Sequence, residues 1–353
     1  MKNNLFLSII TILVSLFFTE IILDSVLGDK NKKNLVYDRY MLYSEGDVFK
    51  NIGKILKYHP NKNIISKTFY DIDGQFKEEY SYIIETNNFG LVQKNDIEKN
   101  KESILFLGDS FTEGQGAKAW INNFQGFYKN LQLINGGILG AGFNQFELLE
   151  KHISKTYNIK KVVVLYIGDD LRRGLFNHNN QVVSCLKNHL SCNGYENFYG
   201  FNQSTLNNHL NFLKSKRVNE NKKSQKTFTF YKRSLKKYLT QLSVFYYPHK
   251  YLRNKFYNSK NVKVVNNFNS IDNLIEKYKS NIFFIRLKQK EEILKGDSYY
   301  TIQAKKHIER KSSLYECDFN DDINNFYKYD GHPNQSGYEY LFKCVENILN
   351  KNY

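Results

Sequence analysis

The chain has little proline, three residues in 353. It is rich instead in lysine and asparagine, which reads as a compositional bias and not as a binding surface. No run of consecutive basic residues is long enough for a nucleic-acid groove. The formal charge of +16 is spread as single lysines among asparagines and tyrosines. Nucleic acid is therefore not an expected partner, whereas an anionic surface such as lipid or glycan suits so diffuse a charge. There is no Walker loop, no zinc-like Cys/His spacing and no internal repeat, which excludes a P-loop, a zinc module and a solenoid. Neither a metal nor a cofactor is expected.

Cysteine is scarce too: Cys185, Cys192, Cys317 and Cys344. An even number is compatible with two disulfides in an oxidising compartment, and Cys185 and Cys192 bracket a loop suited to one. Four unrelated thiols fit equally well.

At the N-terminus, Leu5 to Phe18 is apolar except for Ser and Thr, and apolar character continues to Leu27 past Glu20 and Asp24. As a helix this stretch spans about 34 Å, enough to cross a bilayer. No small-x-small cleavage site follows, so residues 1–30 are expected to form an uncleaved, single-pass signal anchor that partners the membrane. Lys30, Lys32, Lys33 and Arg39 follow the span while Lys2 precedes it, a distribution that favours a cytoplasmic body. Disulfides would favour the opposite side, and an extracytoplasmic (periplasmic) catalytic domain is the expectation kept.

Residues 31–100 read as a small β-rich collar. Strands are predicted at Ile64 to Ile72 and Tyr80 to Glu85, separated by the turn signal Asp73-Gly74. From 101 to 353 the pattern is α/β. Strands at 104–107, 131–135 and 162–167 alternate with helices near 118–130 and 144–157, the signature of a parallel sheet flanked by helices. Residues 172–278 are a Lys/Asn-rich helical insertion, with a basic helix near 230–247. Strand signal returns at 281–286, with helical segments at 287–294 and 302–314. The final helix has Tyr338, Leu341, Phe342, Val345, Ile348 and Leu349 on one stripe, and Gln335 and Ser336 at its expected N-cap.

Chemistry-bearing residues fall at the carboxyl ends of these strands, where ligands bind in such sheets. Gly108 lets the chain turn after the first strand, placing Ser110 at the start of a helix, where N–H groups and the helix dipole favour developing negative charge. The alternative is that Asp109 and Ser110 only cap that helix. Gly140 and Asp169 end the next two strand units, and His332 lies in a loop just before a helix. Acyl transfer needs a nucleophile, a base with an orienting carboxylate, and donors for an oxyanion. The chain supplies them in the order Ser, Asp, His.

Four blocks together resemble the GDSL/SGNH hydrolase family, especially its membrane-anchored bacterial branch: Gly108-Asp-Ser-Phe-Thr-Glu-Gly114, Asn135-Gly-Gly-Ile-Leu-Gly-Ala-Gly142, Tyr166-Ile-Gly-Asp-Asp-Leu171 and Asp330-Gly-His-Pro-Asn334. The resemblance covers residues 87–170 and 281–349 and implies a flavodoxin-like sheet. It implies Ser110 as nucleophile, His332 as base and Asp330 as its orienter. The oxyanion would be held by the N–H groups of Ser110 and Gly140 and by the side chain at 169. Two departures stand out. The family has Asn where this chain has Asp169, and an ionised carboxylate repels an oxyanion. Asp169 would donate if burial and Asp170 kept it protonated, or Arg172 or Arg173 would supply the charge. The acid also stands two residues before the histidine instead of the commoner three, with Asp318, Asp321 and Asp322 as fallback orienters. The expected activity is a serine esterase or O-acyltransferase acting on an ester, such as the O-acyl groups of a cell-surface carbohydrate. The alternatives are a catalytically impaired glycan-binding relative and a membrane-associated lipase.

Overall fold

The computed structural model describes residues 38–45, 48–52, 55–126, 128, 130–175 and 262–352, with short helical pieces between 11 and 19 and between 206 and 215. Most of the expected anchor at 1–30, Cys185 and Cys192, and most of the insertion with its basic helix lie outside the described residues. Among the described residues no helix is long and apolar enough to cross a membrane. The chain divides into two units, Met1–Val36 with Leu210–Asn261, and Tyr37–His209 with Val262–Tyr353. Of the first, only scattered helical residues are described. Every element below belongs to the second.

Its centre is a five-stranded parallel sheet built from β6 (Glu102–Gly108), β7 (Gln132–Gly137), β8 (Asn158–Tyr166), β9 (Ile282–Leu287) and β10 (Leu314–Cys317), in the order β10-β9-β8-β6-β7. Counted along the sheet from its first strand, this is the 2-1-3-4-5 order of flavodoxin-like folds, with its switch point between β6 and β8. The inner strands are continuous apolar runs because helices cover both faces. Side chains alternate between those faces. Leu105, Leu107, Val162 and Val164 pack with Phe143, Phe146, Leu149 and Ile271 of α2 (Phe143–Ile153) and α3 (Val262–Tyr278). Ile104, Phe106, Val163 and Ile285 face the other way, onto Trp120, Phe124 and the Leu341, Val345 and Leu349 stripe of the last helix.

Several boundaries differ from expectation. The helix predicted at 118–130 is a 3-10 segment, Trp120–Gly126, because two asparagines and a terminal glycine are poor helix formers. Instead it is pinned from outside by the Trp120 indole N–H, which donates to the Phe111 carbonyl at 2.8 Å. Leu287 ends β9 and does not open a helix. The helical segments that follow are α4 (Lys290–Lys295) and α5 (Tyr299–Glu309), and Leu314 begins the edge strand β10. Four residues are too few for their alternation to declare a strand in the sequence. The last helix, α6 (Gln335–Asn352), is capped by Asn334 and not by Gln335 or Ser336: Asn334 Oδ1 accepts from the Gly337 N–H at 3.1 Å. Cys317 at the end of β10 and Cys344 in α6 form a disulfide.

The collar contains more than the predicted hairpin. β4 (Asn63–Ile72) and β5 (Gln75–Glu85) meet at Asp73-Gly74, where both residues have positive φ (51° and 87°), the conformation of a type I′ turn. β1 (Asp38–Tyr43) adds antiparallel to β4, and β2 (Phe49–Ile52) and β3 (Ile55–Tyr58) form a separate ribbon. Tyr43, Phe49, Tyr58, Ile64, Tyr80, Tyr82 and Ile84 share one buried cluster, against which Ala119 and Tyr327 pack. Asn135 at the top of β7 ties the collar to the sheet: its N–H donates to Gln93 Oε1 at 3.0 Å and its side-chain amide to the Val92 carbonyl at 2.9 Å. This connection brings the collar to the carboxyl edge of the sheet.

Candidate active site

The site begins where β6 ends. Gly108 is required by close approach, since a Cβ there would run into Thr112 and the Leu165 carbonyl. Asp109 caps the four-residue helix α1 (Ser110–Glu113), its Oδ1 accepting from the Phe111 N–H at 2.9 Å. Ser110 is thus the first helical residue, and the capping duty falls on its neighbour. Ser110 is 3% exposed.

Its Oγ lies 2.8 Å from His332 Nε2. On the far side of the ring, His332 Nδ1 lies 2.5 Å from Asp330 Oδ1, and the same oxygen accepts from the His332 backbone N–H at 3.2 Å. The two-residue spacing is therefore sufficient, because one carboxylate oxygen serves both nitrogens of the same residue. The Phe111 ring packs against the imidazole at 5.4 Å between centroids. The fallback carboxylates serve other groups: Asp318 accepts from the Asn320 N–H and the Tyr340 hydroxyl, Asp321 pairs with Lys288, and Asp322 accepts from the Asn324 N–H.

The second Asp330 oxygen is held by the collar. Tyr80 of β5 donates its hydroxyl to Oδ2 at 2.7 Å, and Arg39 Nη2 of β1 stands 3.1 Å from it. The Tyr80 oxygen in turn accepts from Arg39 Nη2 at 2.8 Å and from Gln115 Nε2 at 2.7 Å. Burial alone would push the Asp330 carboxyl up. The His332 ring, its hydrogen bond, Arg39 and Tyr80 outweigh it and hold the carboxyl well below the usual carboxylate range. Burial and the adjacent carboxylate push the Tyr80 phenol well above its ordinary value, so it stays a donor.

The expected oxyanion donors fare unequally. Gly140 lies between β7 and α2 with φ +70°, a left-handed conformation that glycine adopts without strain. Its neighbours are fixed from two sides: the Leu139 N–H donates to Glu113 Oε2 at 2.9 Å, and the Ala141 carbonyl accepts from Arg173 Nη1 at 3.1 Å. Asp169 is turned to its own chain segment, gripped by Arg172 through Nε to Oδ1 at 2.8 Å and Nη2 to Oδ2 at 2.5 Å, and is 28% exposed. Of the two neighbouring acids it is Asp170, and not Asp169, that is fully buried. Burial and then the nearby Asp109 push the Asp170 carboxyl well up, against the opposing pull of Arg173. Arg173 bridges the two buried acids, Nη1 reaching Asp109 Oδ2 and Asp170 Oδ1 at 2.7 Å each.

Arg39, Tyr80 and Gln115 carry no catalytic signature in the sequence, and neither does Glu113 as a brace for the 138–141 loop. Tyr80 is one of 27 tyrosines, and nothing local distinguishes it. Glu113 stands inside a recognised block. It is fully buried, bonded to the Tyr58 hydroxyl at 2.9 Å, and burial raises it to about 7.

No family model and no curated relative matches the chain. Solved structures do. A lipolytic protein of the G-D-S-L family from Veillonella parvula is 11% identical with a TM-score of 0.35, over 70% of this chain and 97% of that one. The psychrotrophic esterase EstA from Pseudoalteromonas sp. is 13% identical with a TM-score of 0.35, over 70% and 98%. A lipase/acylhydrolase from Enterococcus faecalis is 9% identical with a TM-score of 0.34, over 70% and 95%. By motif and by neighbour, the chain is similar to GDSL/SGNH hydrolases. At TM-scores this low, the chemistry of this chain rests on its own side chains.

Proposed function

We propose that the protein is a serine ester hydrolase or O-acyltransferase working through an acyl-enzyme on Ser110. The observation that carries this reading is the unbroken chain of contacts from Ser110 Oγ through His332 to Asp330 at the N-terminus of a helix. His332 takes the Ser110 proton as Oγ attacks the ester carbonyl carbon. The tetrahedral oxyanion forms beside the N–H groups of Ser110 and Gly140. On collapse, the C–O bond to the leaving alkoxide breaks, and His332 returns the proton to that oxygen. Water or a sugar hydroxyl then attacks the acyl-enzyme with the same proton relay, so hydrolysis and transfer differ only in the acceptor. Asp330 keeps the His332 tautomer correct and balances the imidazolium.

The O-acyl groups of a surface carbohydrate suit a chain of diffuse positive charge. An apolar N-terminal run at 5–27 suits a membrane anchor, and the Cys317–Cys344 disulfide suits an extracytoplasmic, oxidising compartment. Asp169, bound to Arg172, favours a second reading, a slow or impaired relative that binds glycan.

The test is labelling by a fluorophosphonate probe and turnover of a model acetyl ester, comparing wild type with Ser110→Ala. Both signals should depend on Ser110, and their absence in the wild type would sink the enzyme reading in favour of the binding one. A candidate glycan acceptor, added to the active protein, then separates transfer from hydrolysis.

A further inference from the structure

The collar stands before the first motif block in the chain, yet two of its side chains touch the carboxylate that pairs with His332. Arg39 comes from β1, a strand the sequence does not signal, and Tyr80 from the middle of β5. The two bond to each other and converge on the Asp330 oxygen that His332 does not use. Gln115, just past α1, fixes the Tyr80 hydroxyl from the third side. The Tyr80 ring is anchored as well: it packs on Tyr327 at 4.6 Å and on Tyr82 at 6.0 Å between centroids. This convergence goes further than capping a buried acid. A carboxylate two residues from its histidine sits in a short loop with no helix or strand to orient it, and the clamp from β1 and β5 replaces that missing support.

We propose that Arg39 and Tyr80 are positioning residues of the catalytic centre, which hold Asp330 for His332 and make the collar an integral part of the active site. The inference rests on the serine-hydrolase reading. The physical basis is charge. A guanidinium 3.1 Å from Asp330 Oδ2 attracts that carboxylate and fixes the oxygen that His332 does not use. The same cation, with the Tyr80 donor, keeps Asp330 ionised in a buried position. The other titratable groups around this carboxylate are Tyr70 of β4, Glu79 of β5, Tyr327 before the Asp330 loop and Lys290 of α4. Glu79 and Lys290 carry opposite charges, so Arg39 is the cation whose removal is felt most directly.

The experiment is the measurement of kcat and KM on a short acetyl ester for wild type, Arg39→Met, Arg39→Lys and Tyr80→Phe, well below the melting temperature of each. In Arg39→Met kcat should fall about 5- to 30-fold with KM within twofold, since orientation and not substrate contact is lost. Arg39→Lys, which keeps the charge, should recover part of the lost kcat. Tyr80→Phe should also lower kcat with KM little changed. A merely structural role predicts a lower melting temperature with kcat within twofold of wild type below the transition, and that result overturns the proposal. Should Arg39→Met fail to fold, Tyr80→Phe and Arg39→Lys decide: kcat at the wild-type value in Tyr80→Phe overturns it. Wild type without Ser110-dependent turnover would remove the hydrolase reading and this inference together, whereas an active wild type with unmoved variants removes the inference alone.

Discussion

Tyr80 and Asp330 are 250 residues apart in the chain, and the Tyr80 hydroxyl donates to Asp330 Oδ2 at 2.7 Å. That bond joins a strand of the antiparallel collar to the loop before the last helix of the parallel sheet. Two layers of different topology therefore meet at one carboxylate, whose other oxygen faces His332.

Asp330→Asn should reduce kcat by about a thousand- to ten-thousandfold, because the amide favours the wrong imidazole tautomer and cannot balance imidazolium. Ester turnover and the rate of fluorophosphonate labelling measure this. A loss of less than tenfold would mean that His332 is oriented by another group.

Asp169→Asn should raise turnover. The native carboxylate is turned to Arg172 and has no proton to donate while it is paired there, whereas the amide supplies a donor. One oxyanion donor contributes about 100- to 1000-fold, so a rise of tenfold or more is expected even with imperfect placement. Unchanged turnover would show that residue 169 does not face the oxyanion.

Glu113 makes stability depend on pH. Its carboxyl is raised from 4.5 to about 7, chiefly by burial, so the folded protein holds this proton over a window in which the unfolded chain has released it. The contribution is complete below about pH 4.5 and is lost as pH rises through about 7, a difference of roughly 3 kcal/mol. Glu113→Gln cannot ionise and should lack that decline. Urea unfolding of both proteins between pH 4.5 and 8 tests this, and parallel curves would exclude it. Because Glu113 also braces the 138–141 loop through Leu139, the variant's kcat reports separately on that contact.

The Cys317–Cys344 bridge closes a sequence separation of 27 residues, for which the chain-entropy model gives about 3–4 kcal/mol. Cys317→Ala/Cys344→Ala, or reduction of the native protein, should lower the melting temperature by several degrees. The bridged segment carries Asp330 and His332, but these are held separately by Tyr80, Arg39 and Ser110, so activity below the transition should be kept. A melting temperature unmoved by reductant would mean that the bond is absent in solution.

Where apolar periodicity was strong, the sequence was legible. Ile104 to Leu107, Val162 to Leu165 and the Leu341, Val345 and Leu349 stripe form elements of the expected type, because each must bury one continuous surface. Glycine and turn chemistry marked Asp73-Gly74 and the Gly108 turn. The short edge strand at Leu314–Cys317 left no such signal, and neither did β1.

By itself the sequence determined the strand cores, the order Ser110, Asp330, His332, and the doubt at Asp169, since these depend on residue type and local spacing. Only the tertiary structure decided that Ser110 Oγ meets His332 Nε2, that the burial expected at Asp169 falls on Asp170, and that Arg39 and Tyr80 close on Asp330. The physical reason is reach. A hydrogen bond acts over about 3 Å, and which of 27 tyrosines comes that near one carboxylate depends on how the collar packs on the sheet, which no local pattern encodes.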